Sequence, residues 1–150
     1  MGMGRRYSVA QQDTNTAATS MIGITATAAV RPRIYDLLMS SGGTPADNGV
    51  LYLLERHTLP GTNTAFTPVA LDPGDPASLT TGGYNHTVEP TYTANSFLLR
   101  ICHNMRATVR FPAAPDGEIV LPATANSGAS LLSSAVSTAF LDDFTLHFCQ

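Results

Sequence analysis

No stretch of twelve or more residues in this chain carries the apolar stripe of an amphipathic helix, and that absence governs what it can fold into. Short runs of alternating or β-branched residues are instead cut by Gly, Pro, Asn and Asp clusters, about every 8–15 residues. Residues 123–139 are Ala-rich and come nearest to a helix, but Gly128 and the many Ser and Thr residues disfavour one. No internal repeat is evident.

About nine strands are expected. Thr19–Ala28 has a β-type composition around Met21, Ile22 and Ile24. Ile34–Met39 follows Arg31-Pro32-Arg33, where Pro is tolerated at a strand start. Val50–His57 alternates after the Asn48-Gly49 turn. Thr64–Leu71 contains Pro68 and reads as an edge or irregular strand. Asp75-Pro76-Ala77-Ser78-Leu79 has the cap and first-position Pro of one helical turn. Thr87–Thr93 is a strand interrupted by Pro90. Asn95–His103 and Met105–Phe111 follow, the latter with strict period two. Glu118–Pro122, Ala129–Val136 and Phe140–Cys149 complete the set. The expected fold is all-β, an antiparallel β-sandwich or jelly-roll-like barrel of about eight to nine strands. Residues 1–18 read as an extended N-terminal arm, with at most a short strand at Arg6–Ala10, and residues 19–150 as one domain.

Composition narrows function. Charged residues make up 13%, about half the usual share, and the net charge is −3. A nucleic-acid binder driven by basic surface is therefore not expected. Apolar runs such as Val50–Leu54 and Ile119–Leu121 fall far short of a membrane span. The N-terminus lacks the apolar stretch of a signal peptide. A surface this neutral resists association poorly, so it suits either a tolerant environment or a subunit covered by partners.

Chemistry-bearing patterns are sparse. His57, His86, His103 and His147 show no metal-clip spacing, and a site of His103, His147 and Cys149 would require strands to converge. Asp142 and Asp143 are adjacent in a strand and point apart, so they make no catalytic dyad. Asp72 and Asp75 bracket Pro73-Gly74 and read as turn-formers, with calcium a weaker alternative lacking an EF-hand pattern. The Gly-x-Ser-x-Gly elbow and the phosphate-binding glycine loops are absent. No catalytic, cofactor-binding or metal-binding residue is assigned, and no cofactor is expected. Cys102 and Cys149 could pair, but read more simply as two semi-buried thiols.

All eight basic residues are Arg. Arg is favoured over Lys at interfaces, although GC-rich coding would leave the same trace. Arg31 and Arg33 share a face at a strand start, and Arg106 and Arg110 share one with Thr108 between them.

Arg33–Asn48 (RIYDLLMSSGGTPADN) and Gly61–Ala77 (GTNTAFTPVALDPGDPA) resemble the small head decoration, or cement, proteins of tailed bacteriophages, as do Asn85-His86 and Glu89-Pro90 downstream. The resemblance implies a β-sandwich or jelly-roll structural protein on the outer surface of the virion capsid, made in the host bacterial cytoplasm. It implies binding to the major capsid protein and to copies of itself, as a dimer or trimer, without catalysis, direct nucleic-acid contact or membrane contact. An arm carrying Arg5, Arg6 and Tyr7 would then suit strand addition to a partner's edge. A stiff loop bearing Asp72 and Asp75 would bind at low ordering cost. With Arg31, Arg33, Arg106 and Arg110, these are the expected interface residues. Another virion component (tail, head–tail connector or receptor-binding module) and a carbohydrate-binding β-sandwich are the alternatives. The second is disfavoured by the absence of Trp and the scatter of the five Tyr residues.

Overall fold

Twelve strands and no helix form the described part of the computed structural model, which comprises residues 4–16, 18–134 and 139–150. The strands are β1 (Arg6–Asn15), β2 (Ser20–Thr25), β3 (Arg33–Gly42), β4 (Gly49–Leu59), β5 (Thr62–Phe66), β6 (Val69–Ala70), β7 (Thr81–Val88), β8 (Thr91–Asn104), β9 (Val109–Pro112), β10 (Ile119–Val120), β11 (Gly128–Ser133) and β12 (Phe140–Cys149). They make two antiparallel sheets. In the first, β9 and β10 both pair with β3, which is followed by β12, β1 and β6. The second runs β5-β7-β2-β11-β4-β8.

Setting aside β5 to β7, which form an insertion, the orders become β9/β10-β3-β12-β1 and β2-β11-β4-β8. Successive strands cross from one sheet to the other, except that β4 and β8 are neighbours and β9 and β10 both lie along β3. This is the double Greek-key wiring of a jelly roll. The all-β sandwich read from the sequence is what the chain forms.

Alternation explains the faces. In β12, Phe140, Asp142, Phe144, Leu146 and Phe148 are buried while the residues between them are not. Val50, Tyr52 and Leu54 of β4, Ile22 and Ile24 of β2, and Leu131 of β11 face them to fill the space between the sheets. Pro68 separates β5 from β6, and Pro90 separates β7 from β8, because proline cannot supply a ladder N–H.

Three expectations need correction. Residues 6–15 are not an arm. They form β1, paired with β12 in unbroken register from Arg6↔Cys149 to Asn15↔Phe140. Tyr7 and Val9 are fully buried, so the pairing turns a polar-looking segment into the inside of a sheet. Met105–Phe111 is not one strand. Met105 fills the core from a turn closed by the Ala107 N–H to Asn104 carbonyl bond, 2.9 Å, and only Val109 resumes a strand. The Asp75–Leu79 helical turn does not form. The Asp72 carbonyl accepts from the Asp75 N–H at 3.0 Å, and its carboxylate accepts from the Gly74 N–H at 2.9 Å, giving a tight turn instead. Of the expected strand Ala129–Val136, residues 135 and 136 lie outside the described residues.

A polar knot ties the sheets together. Asp142 is 3% exposed and accepts from the Tyr52 hydroxyl and, at 3.1 Å, from the Asn15 amide. Ser133 donates to the side-chain amide oxygen Oδ1 of Asn15 at 2.9 Å. Asp143, one residue on, points outward and accepts from Gln12 at 3.1 Å. Burial pushes the Asp142 carboxyl up to about 6, although Tyr52 and Asn15 donate to its charged form. In the unfolded chain it titrates near 3.8. Between those values the folded state holds the extra proton, so this group adds stability as pH falls from 7 toward 4.

Two measurements test this architecture. Deleting residues 1–15 should abolish cooperative thermal unfolding, because it removes the strand that pairs β12 over ten residues and the buried Tyr7 and Val9; a folded truncation would contradict the ladder. Asp142→Asn keeps the shape without the charge. Its stability relative to wild type should be higher at pH 7 than at pH 4 by about 2 kcal/mol, read from denaturant unfolding. A pH-independent difference would show that Asp142 ionises freely.

Candidate functional site: an arginine groove on the outer face

The β1–β12–β3 register places Arg6, Cys149 and Arg33 side by side across three strands. Neighbouring strands lie about 4.8 Å apart, so the two guanidinium groups flank the thiol from backbones about 10 Å apart. The row points outward because Tyr7, Phe148 and Ile34, its immediate neighbours, point into the core. One wall is the β2–β3 loop, with Ala29, Val30 and Arg31; the other is the β9–β10 loop, Ala113 to Asp116, with Glu118. Together they enclose a recess of about 800 Å³, open to solvent, which Tyr35 and Gln150 also line.

Three arginines therefore converge here. None of Arg6, Arg31 or Arg33 makes an ion pair with a carboxylate of the described chain. Asp116 and Glu118 sit on the far wall, making the groove two-sided in charge. Burial pushes the Cys149 thiol up, against the pull of Arg33 and Arg6, so it stays protonated at neutral pH. Burial raises the Tyr35 hydroxyl in the same way, leaving a neutral donor beside the arginines. Such a surface can grip a carboxylate or another anion through paired N–H groups.

The other expected interface residues lie elsewhere. Arg5 reaches Asp75 at 3.5 Å, joining the end of β1 to the β6–β7 loop. Tyr7 is no interface residue: its ring stacks on Phe148, and its hydroxyl donates to the Pro76 carbonyl at 3.1 Å. Asp72 holds its own turn. Arg106 donates to the Pro45 carbonyl at 3.0 Å and lies 3.9 Å from Asp47. Arg110 makes a two-pronged pair with Asp36, both contacts 2.9 Å. Arg106 and Arg110 thus sit on different elements with different partners, and do not form one patch. The Arg110 bonds hold the Asp36 carboxyl below its usual range, against the opposing effect of burial, and His147 adds a contact at 3.2 Å.

A second polar cluster lies on the outer side of the second sheet. β7 borders β2 and β8 borders β4, so the connection through Glu89 and Pro90 crosses that sheet. Glu89 accepts from the Ser20 N–H at 3.1 Å and from its hydroxyl, which also meets the Tyr92 hydroxyl. Beneath, Ser130 pairs with His57 Nδ1 at 3.0 Å. Burial lowers His57 to about 4, so the ring is neutral at pH 7. Ser130 is 1% and His57 2% exposed, which leaves no path for a substrate to that pair. The cluster fastens the crossing connection to the sheet.

The remaining sequence candidates stay apart. His103 stacks on Tyr52 in the second sheet, whereas His147 and Cys149 belong to the first. Cys102 and Cys149 are free thiols in different sheets. Among the described residues no three His, Cys, Asp or Glu side chains come together to hold a metal ion. Among the same residues no helix is long and apolar enough to cross a membrane.

The paired arginines 31 and 33 were legible from their spacing. The contribution of Arg6 was not, because it depends on the β1–β12 register. Comparison with protein-family models, curated proteins and solved structures returns no match for this chain.

Proposed function

We propose that this protein is a structural virion component that binds the outer surface of a bacteriophage capsid and braces neighbouring major-capsid subunits. The observation that carries the reading is the groove: three arginines without internal carboxylate partners, presented on a rigid sheet. Arginine is enriched at protein interfaces, and a two-pronged guanidinium contact with a partner's carboxylate supplies orientation as well as attraction. Many such modest contacts around a shell add through multivalency.

Two further features support it. Charged residues are scarce, while Leu59, Val69, Leu71, Leu79, Val88, Phe97 and Leu141 are large apolar side chains left at the surface, Val69 at 68% exposure. A surface of this kind suits a subunit covered by neighbours. The jelly roll is also a wiring used by viral capsid domains, although fold alone names no function.

Electron microscopy of the native particle is the test. Hundreds of copies on the outer head shell are expected, whereas six or twelve would assign the chain to a connector, and absence from the particle would end the proposal. Arg6→Glu combined with Arg33→Glu should lower occupancy on empty shells at least tenfold. Unchanged occupancy would remove the groove from the contact.

A further inference from the structure

We infer that β8 is a homotypic docking edge, and that two copies of this chain pair antiparallel through it to form one continuous twelve-stranded sheet. The inference does not depend on the virion assignment. An edge strand presents a row of unpaired N–H and C=O groups, and native folds blunt such rows by keeping edges short, charged or proline-bearing. The β1 edge beyond the two residues that β6 covers is blunted by Asp13, whose carboxylate accepts from the Asn85 N–H at 2.9 Å. The remaining edges are short. β9 has 4 residues, β10 and β6 have 2 each, and β5 has 5 between Pro60 and Pro68. β8 has 14, contains no Pro, and is bordered on one side only, by β4.

The run Phe97–Asn104 is the competent part. Upstream, Asn95 has φ of 58°, and the ladder with β4 shifts at Glu55 and again at His57, so Thr93–Ser96 bulges away from the edge. Within the run, Arg100 is the only Arg, Lys, Asp or Glu. Leu99 and Ile101 lie opposite Leu54 and Tyr52, so they stand on the core side of the sheet. Both pack against the core yet stay half-exposed, because no strand lies beyond them. A second β8 would complete their burial and extend the core from one sandwich into the next.

The occupant argued for is a second copy because an antiparallel strand complements itself. Under a two-fold axis each residue i meets a residue j with i + j constant, so every free donor finds an acceptor. Arg100 meets its own copy only in a register centred on itself. A register centred on Ile101 sets Leu99 against His103, and Arg100 against Cys102. In that register seven residues, Leu98 to Asn104, pair and span about 24 Å. The buried surface is of the order of 500 Å² from each copy, near the lower limit for specific association. The pair should therefore be reversible, in the micromolar range, and should close at two copies, since each chain offers one such edge.

Sedimentation equilibrium and thiol cross-linking test this. At about 100 µM the wild type should sediment at twice the 15.8 kDa chain mass and dissociate on dilution. Cys102→Lys introduces an edge cation at an exposed position; it should retain the wild-type melting transition and weaken the dimer at least tenfold. In a Cys149→Ser chain, a short bis-maleimide should link Cys102 to Cys102 of the second copy. A monomeric wild type at 100 µM, a trimer, a dimer unaffected by Cys102→Lys, or a dimer without the cross-link would each overturn the inference.

Discussion

The ladder between the first and last strands is the constraint on which the rest depends. β1 and β12 pair over ten residues without a register break, and they form the middle of the first sheet. At one end the ladder places Arg6 beside Cys149 and, across β12, beside Arg33. Toward the other it brings Asn15 within reach of Asp142, and through it to Tyr52 of the opposite sheet. A slip of one residue would turn Tyr7 and Val9 to solvent and Arg6 into the core. The groove and the polar knot are thus two products of one register.

How much of this was legible follows from what each strand displays. β12 announces itself, since Phe140, Phe144, Leu146 and Phe148 recur at every second or fourth position and leave one reading. β1 does not, because only Tyr7, Val9 and the small Ala10 are apolar before a run of Gln, Asp, Thr and Asn whose outward members look like a solvated tail. Its strand character comes from pairing, which a single sequence does not display. Met105–Phe111 misled for the opposite reason: its alternation is regular, yet Met105 is used as a plug from a turn. Asp142 was rightly separated from Asp143, but an acid at a core position carries no mark of its buried partners. The breaks at Pro68 and Pro90 were legible because proline acts locally.

The surface offers two addresses for partners. On the outer face of the first sheet, arginines without internal partners line a walled groove. At the edge of the second, a strand with Arg100 as the only Arg, Lys, Asp or Glu of its regular run ends the sheet. Face and edge belong to different sheets, so a copy paired through β8 still presents its groove. A subunit that joins its own kind along one surface and grips a larger scaffold with another has what a shell-bracing protein requires.

Hydrogen exchange of the backbone amides of residues 6–15 tests the central claim most directly. If these residues are a strand laddered to β12, the amides bonded to β12 should exchange as slowly as those of β12 itself, near the limit set by global unfolding. Exchange at the rate of an unstructured chain would make the segment an arm. It would also remove both the groove and the buried knot from the account.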